Sequence, residues 1–220
     1  MGVAAHLGIK LDEYDAVIRT LIPYYEGLLD AAARAVDTLG PRRPTVIDLG
    51  TGTGALASRL LAVRPRARIT GVDEDAGMLA MAEKRLHGRI TTAAGNFERW
   101  PIPPCDVISA SFALHHIRTA RRKAALYKRS GASLKRGGLL VTADCFLSTD
   151  AALRRKDRAA WIEHLRKAYS PKKAEQFLRA WAREDVYFTL NQELHWLADA
   201  GFRVDVVLRQ ACFATIVARR

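Results

Sequence analysis

Two groups of residues in this 220-residue chain have the types and spacing to do chemistry: a glycine-rich turn answered by a later carboxylate, and an adjacent pair of histidines. In the run Val46-Ile47-Asp48-Leu49-Gly50-Thr51-Gly52-Thr53-Gly54 an apolar strand enters a turn that opens a helix. Gly71-Val72-Asp73 then ends a second strand in a carboxylate about twenty residues on. Gly50, Gly52 and Gly54 let the backbone take positive φ and approach a ligand, and the helix starting near Ala55 offers it unpaired N–H groups. Asp73 can accept both hydrogen bonds of a ribose diol. This is how a doubly wound α/β sheet holds an adenosine nucleoside. The spacing is G-x-G-x-G with Ala55 following, without the later glycine of the dinucleotide fingerprint, which disfavours a pyrophosphate ligand and a nicotinamide cofactor. His115 and His116 close the run Ser109-Ala110-Ser111-Phe112-Ala113-Leu114-His115-His116-Ile117, at the end of a later strand, where the ligands of such sheets bind. A neutral imidazole there titrates near working pH and can take a proton.

The elements that must position these groups follow from periodicity. Apolar residues recur at helical spacing from Leu11 to Leu39, broken by Pro23, which predicts two helices as an N-terminal cap over residues 1–43. Strands are expected at Thr45 to Leu49, Arg68 to Val72, Ile90 to Ala93, Asp106 to Ala110 and Gly138 to Ala143. Helices alternate with them at Gly54 to Val63, at Ala76 to Leu86 and within Arg118 to Leu134. That alternation implies a parallel sheet with helices on both faces, over residues 44–220. A helical insertion around 150–188, carrying Trp161, Phe177 and Trp181 and punctuated by Ser170-Pro171, interrupts it. Helix Asn191 to Ala200 comes next, stopped by Gly201. The runs Phe202 to Leu208 and Cys212 to Ala218 are joined by a connection, Arg209 to Ala211, short enough to suit an antiparallel hairpin.

Composition sets bounds. A chain of this length with 49% hydrophobic residues buries one substantial core. No stretch is apolar and long enough to span a bilayer, and Met1 to Lys10 lacks a signal peptide's basic start and apolar core, so a cytoplasmic protein is expected. Cys105, Cys145 and Cys212 lie apart in apolar runs, read as buried thiols, and no metal-ligand motif is present. The formal charge of +12 gathers in Arg118 to Arg136 and Arg154 to Lys173. A generally basic surface is the plainer reading, and a nucleic-acid face the sharper one.

Together, Val46 to Gly54, Gly71-Val72-Asp73, Gly95-Asn96-Phe97, Asp106 to Ile117, Leu134 to Leu140 and Leu197 to Phe202 resemble the class I S-adenosylmethionine-dependent methyltransferases. The resemblance implies an α/β fold, a doubly wound, seven-stranded, mostly parallel sheet whose last strand inserts antiparallel beside the fifth. It implies S-adenosyl-L-methionine as cofactor and S-adenosyl-L-homocysteine as product. Carried onto this chain, Gly50, Thr51 and Gly52 pack against the methionine part and Asp73 binds the ribose. Met78 covers adenine or is simply core. Asn96 stands where the family usually has Asp, its carbonyl able to accept from the adenine amino group, and the Phe97 N–H lies near the ring nitrogen. Asp48, Glu74 and Ser111 complete the expected cofactor set. His115 or His116 is the candidate general base, packing being the alternative for both.

Within the family, Ile18 to Tyr25 and the Tyr169 to Phe202 layout resemble the carboxy-S-adenosylmethionine synthase branch, which uses prephenate to carboxylate the cofactor for tRNA modification. In that reading Tyr25 faces cofactor or substrate. Ser111 replaces an expected Asn, however, and Leu178, with Arg179 beside it, replaces the carboxylate-binding arginine. Tyr24, Tyr25, Trp161, Trp181 and Tyr187 either line an acceptor pocket or fill the interface between cap and core. Arg19, Arg179 and Arg183 are candidates for a substrate carboxylate, with plain surface exposure as the alternative. The expected activity is methyl transfer to a small molecule. The alternatives are a tRNA-pathway enzyme and a cofactor-binding, non-catalytic partner subunit, and a homodimer is left open.

Overall fold

A computed structural model describes residues 10–220, so the first nine residues of the expected cap lie outside the described residues. The strands are β1 (Thr45–Leu49), β2 (Arg68–Asp73), β3 (Ile90–Ala94), β4 (Cys105–Ser111), β5 (Leu134–Cys145), β6 (Arg203–Gln210) and β7 (Phe213–Arg219). They form one sheet in the order β3-β2-β1-β4-β5-β7-β6. β1 to β5 run parallel, and β7 pairs antiparallel with both β5 and β6. The helices are α1 (Tyr14–Leu21), α2 (Tyr25–Asp37), α3 (Ala55–Val63), α4 (Ala76–Leu86), α5 (Ala120–Ser133), α6 (Ala151–Leu165), α7 (Pro171–Glu184) and α8 (Leu190–Asp199).

The two faces of the sheet are written in strand alternation. Val46, Val107, Leu139 and Val217 pack on one side with Leu29 and Val36 of α2 and Leu56 and Leu60 of α3. Their neighbours Ile47, Ile108, Leu140 and Ile216 pack on the other with Leu126 and Tyr127 of α5 and Leu197 of α8. Successive residues of a strand point to opposite faces, so strands buried on both sides read as continuous apolar runs. β5 starts four residues before the expected Gly138. Its pairing with β4 begins at Cys105↔Leu134, slips, and resumes at Val107↔Leu139, which leaves the polar stretch after Leu134 bulged out of register.

The cap breaks around Pro23 as expected, with Tyr24 in the left-handed region at φ 63°. It is clamped from behind by α6 and α7. The Trp161 indole N–H donates to the Leu21 carbonyl at 2.8 Å, and Thr20 Oγ1 lies 2.6 Å from the Tyr169 hydroxyl. A third apolar cluster joins Leu21, Leu28, Trp161, Leu165, Trp181 and Phe213 here. Ser170 caps α7, with Pro171 in its first turn, and Thr189 and Gln192 form a capping box on α8. All three cysteines are buried and free. Among the described residues no helix is long and apolar enough to cross a membrane.

Asp48 is placed differently from expectation. Only 1% exposed, it lies beneath the glycine turn rather than in the cleft above it. Its two oxygens accept from Thr51 Oγ1 and Ser109 Oγ, each at 2.6 Å, tying the turn to β4. Burial pushes its carboxyl up to about 6, against the pull of those two hydroxyls. The folded value exceeds the unfolded one, so Asp48 stabilises the fold fully at pH values below about 4, and that contribution is lost as pH rises through about 6. Each pH unit separating the folded from the unfolded value is worth about 1.4 kcal/mol, so between pH 4 and 7 the wild type should lose up to about 3 kcal/mol relative to Asp48→Asn. Urea unfolding of both proteins across that range checks it, and parallel pH profiles would be contrary to expectation.

Candidate active site

The glycine turn is fixed by backbone bonding before any ligand is considered. The N–H groups of Gly50 and Thr51 donate to the Val72 carbonyl at 2.8 and 3.1 Å. Gly52 N–H donates to Asp73 Oδ2 at 2.9 Å and Asp75 N–H to Asp73 Oδ1 at 3.0 Å, so the carboxylate ending β2 has a set orientation. Gly50 has φ +66°, and a Cβ there would stand 2.4 Å from that of Ala113. At Gly52, φ +53°, a Cβ would meet nothing within 4 Å. The first glycine lets β1 and the histidine turn meet, and the second keeps the backbone bare towards a ligand.

Above the turn opens a cleft of about 730 Å³ lined by Gly50, Thr51, Gly52, Asp73, Glu74, Met78, Asn96, Phe97 and Ser111, which are all the expected cofactor residues except Asp48. Met78 is 1% exposed, so it is core and cleft wall at once. Tyr25 and His116 also face this cleft. The Asn96 Oδ1 is buried without a hydrogen-bond partner among the described residues. An orphaned buried acceptor costs roughly 1–3 kcal/mol, a cost that a ligand's N–H donor would remove. The cleft therefore suits a nucleoside: a bare turn, an oriented carboxylate and an acceptor awaiting a donor.

Tyr14 and Ile18 of α1, with Tyr25, roof the cleft. Thr53 Oγ1 donates to Asp15 Oδ1 at 2.7 Å, and Arg85 pairs with the same carboxylate, so the cap's near edge is tied to the glycine turn and to α4. Burial, seconded by Asp73, pushes the Tyr14 phenol up to about 12, and burial raises Tyr25 as well. Both stay protonated at neutral pH and are available as donors.

The histidines sit on a short 3₁₀ turn, Leu114–His116, that follows β4. Phe112, at φ 50°, turns the chain there and donates its N–H to the Ala143 carbonyl at 2.8 Å. From below, Lys123 Nζ donates to the Leu114 carbonyl at 2.8 Å and pairs at 3.0 Å with Glu193, whose other oxygen accepts from Tyr127. All three of those side chains are buried. His115 Nδ1 lies 2.6 Å from Asp144 Oδ1, and its Nε2 lies 3.9 Å from Asp185 Oδ2. His116 Nδ1 is 3.1 Å from Asp185 Oδ1. Burial alone would lower the His115 imidazole, but Asp144, with Asp185 behind it, outweighs burial and makes it hold its proton more tightly than a free imidazole. Burial likewise opposes ionisation of Asp144 and Asp185, yet His115, seconded by Lys123, holds Asp144 below the usual carboxylate range, and His116 and His115 together do so for Asp185.

His115 lines a smaller inner cavity of about 80 Å³, with Trp161, Trp181, Tyr187, Phe213 and Phe112. Phe112, His116 and Asp185 border both spaces. Trp161 stacks on Trp181 at 5.4 Å and meets Phe213 edge-on at 4.8 Å. These rings fill the cap interface and line the cavity together. Tyr24 does not join them and stays 46% exposed. Arg19, Arg179 and Arg183 are exposed, Arg19 pairing with Glu26. Sequence reasoning passed over Tyr14, Asp144 and Asp185, and named Ile18, Arg118 and Arg122 only within longer runs, without a place in the site. Tyr14 and Ile18 were legible as one face of a helix at i, i+4, whereas Asp144 hides in an apolar strand and Asp185 follows a basic helix with no motif around it.

Residues 46–138 match the family model described as a methyltransferase domain. An uncharacterized methyltransferase of Geobacillus thermodenitrificans is 30% identical over 153 residues, covering 69% of this chain and 67% of the relative. The carboxy-S-adenosyl-L-methionine synthase of Campylobacter jejuni is 26% identical over 215 residues, 93% of this chain and 89% of the relative. The crystal structure of human N-acetylserotonin methyltransferase in complex with SAM superposes with a TM-score of 0.66 at 21% identity, covering 99% of this chain and 57% of that one, a likeness of fold. Of the Geobacillus kaustophilus relative, the chain spans just 64% of the length.

Independently of any ligand, Lys123→Met leaves Glu193 buried without its cation and should destabilise the protein by about 3–5 kcal/mol. Adding Glu193→Leu should restore much of that loss. Chemical denaturation of the three proteins checks it, and a neutral single variant would show that the pair does not hold the turn.

Proposed function

Because the chain belongs to the class I S-adenosylmethionine-dependent methyltransferases, we propose that it binds S-adenosylmethionine in the larger cleft and methylates a small molecule seated beside His116. The observation that carries this reading is the cleft floor. Gly52 is bare, Asp73 is oriented by two backbone N–H groups, and Asn96 Oδ1 is a buried acceptor with no partner among the described residues. Asp73 would accept from the ribose hydroxyls and Asn96 from the adenine amino group, with Met78 and Phe97 flanking the base and Gly50, Thr51 and Gly52 against the methionine part.

Bound there, the cofactor supplies an electrophilic methyl group on a sulfonium. The chain's own residues align the acceptor, exclude water and move a proton. Tyr14, Ile18 and Tyr25 cover the cleft against solvent. His116, whose Nδ1 is held by Asp185, takes the acceptor's proton. His115, braced by Asp144, fixes the inner wall. The aromatic inner cavity favours a small planar acceptor over nucleic acid.

A second reading has its own observation, the alignment with a carboxy-S-adenosyl-L-methionine synthase across 93% of this chain. Against it, Arg179, beside the position expected to hold the extra carboxylate, is exposed. Mass spectrometry of the cofactor after incubation with prephenate separates the two readings, since only a synthase converts the cofactor to a carboxylated product.

Calorimetric titration with S-adenosylhomocysteine, beside NAD as a control, should give micromolar binding for the former alone. Asp73→Ala should weaken it at least tenfold, since two charge-assisted hydrogen bonds of roughly 1.5–3 kcal/mol each are lost. His116→Ala should keep that affinity while turnover falls about 10²–10⁴-fold, the range of a general base. A folded wild type that ignores S-adenosylhomocysteine would overturn the reading.

A further inference from the structure

His115, His116 and Asp185 do more than flank the acceptor: their donor atoms, two imidazole nitrogens and a carboxylate oxygen, all lie within 4.8 Å of one another. The two rings pack with centroids 4.2 Å apart, tilted by 59°, so adjacent residues of the 3₁₀ turn present their nitrogens to one carboxylate. We propose that these three side chains form a binding site for a divalent first-row transition cation, of which zinc is the simplest probe.

Four features carry the proposal. The ligand set is two imidazoles and a carboxylate, borderline donors that suit zinc or iron and leave further coordination positions open. The separations approach those of a coordination shell. Tetrahedral coordination with bonds of about 2.0–2.2 Å sets donors roughly 3.3 Å apart; here His116 Nδ1 is 3.1 Å from Asp185 Oδ1 and His115 Nε2 is 3.9 Å from Asp185 Oδ2, so an ion would draw the two rings and the carboxylate together. The outer shell is in place. Asp144, 1% exposed, holds His115 Nδ1 at 2.6 Å and so turns Nε2 towards Asp185. Tyr187 donates its hydroxyl to Asp185 Oδ2 at 2.8 Å. A carboxylate behind a ligating histidine is the usual way a protein fixes its tautomer and ring orientation. Lastly, the frame is rigid, for Val186 N–H donates to the His115 carbonyl at 3.0 Å and Lys123 holds the Leu114 carbonyl.

The three ligands all border the aromatic inner cavity, so the open coordination positions face the space given above to the acceptor. The function of the cation, though not its binding, rests on the methyl-transfer reading. It would bind an acceptor hydroxyl and lower its pKa, taking over the task assigned there to His116. No electron transfer is involved. The hydroxyl proton would leave to solvent, the oxygen would bond to the methyl carbon as the carbon–sulfur bond breaks, and the thioether sulfur would keep that electron pair.

The test uses the full chain stripped with a chelator, then titrated with zinc by calorimetry and with cobalt(II) by visible absorption, without cofactor. The expected result is one equivalent bound and a cobalt spectrum of low coordination number. His116→Ala and Asp185→Asn should each weaken binding more than tenfold, and Asp144→Asn, which keeps all three ligands, by about 10–100-fold. His195→Ala, remote on α8 and paired with Asp199, should change nothing. Should Asp185→Asn fail to fold, His116→Ala decides, because that side chain is half-exposed. Absence of stoichiometric binding, or binding undiminished in His116→Ala, overturns the site and leaves a hydrogen-bonded cluster only. Titrating the same samples with S-adenosylhomocysteine keeps the two readings apart: metal uptake without nucleoside binding would sink the methyl-transfer reading alone, and the converse would sink the metal site alone.

Discussion

The site exists because strand order reverses at β1, which has β2 on one side and β4 on the other. Chains leaving β1 and β2 wind to one half of the sheet and those leaving β4 and β5 to the other, so the loops part above the strand ends and leave a crevice. Backbone groups at those ends have lost their ladder partners. The protein meets that need from within, with Gly50 and Thr51 donating to the Val72 carbonyl and Gly52 and Asp75 donating to the Asp73 carboxylate. Asp48 performs the corresponding task below, linking the turn to Ser109 on β4. The cleft floor is thus one hydrogen-bonded fabric drawn from three neighbouring strands.

The other wall is built on a different principle. Lys123, Tyr127 and Glu193 place charge in the core between α5 and α8, where burial is costly unless every group is partnered. The partners converge on the Leu114 carbonyl, immediately before His115. A polar core is here exchanged for position: the turn is pinned from beneath while Asp144 and Asp185 hold the rings from the sides. The aromatic interface of α6 and α7 then closes the space behind them.

The sequence made the sheet legible because its strands are buried on both faces and its glycine turn has few alternative geometries. The cleft was legible for the same reason, since the residues that line it follow strand ends in order. What escaped was whatever depends on packing between distant segments. Asp48 looked like a ligand contact, yet a carboxylate at a strand end points down as readily as up, and Ser109 decided the matter. Asp144 and Asp185 carry no local pattern. The parallel bridge Leu147↔Thr189, the bond from Val186 to His115 and the Asp185 contacts bring the segment after α7 to the histidines. His115 and His116, adjacent and alike in sequence, were separated by folding into an inner and an outer wall.

The helix α1 is fastened differently at its two ends. At its far end the helix is anchored by Trp161, Tyr169 and the apolar cluster beneath them, while nearer its start the Asp15 carboxylate bonds Thr53 and pairs with Arg85. The first attachment combines apolar burial with two hydrogen bonds, whereas the second includes an ion pair, the kind of contact that salt screens. Added salt therefore weakens the Arg85 part of the near attachment more than the packing at the far end, and the two ends of the helix over the cleft are held by forces that answer to different conditions.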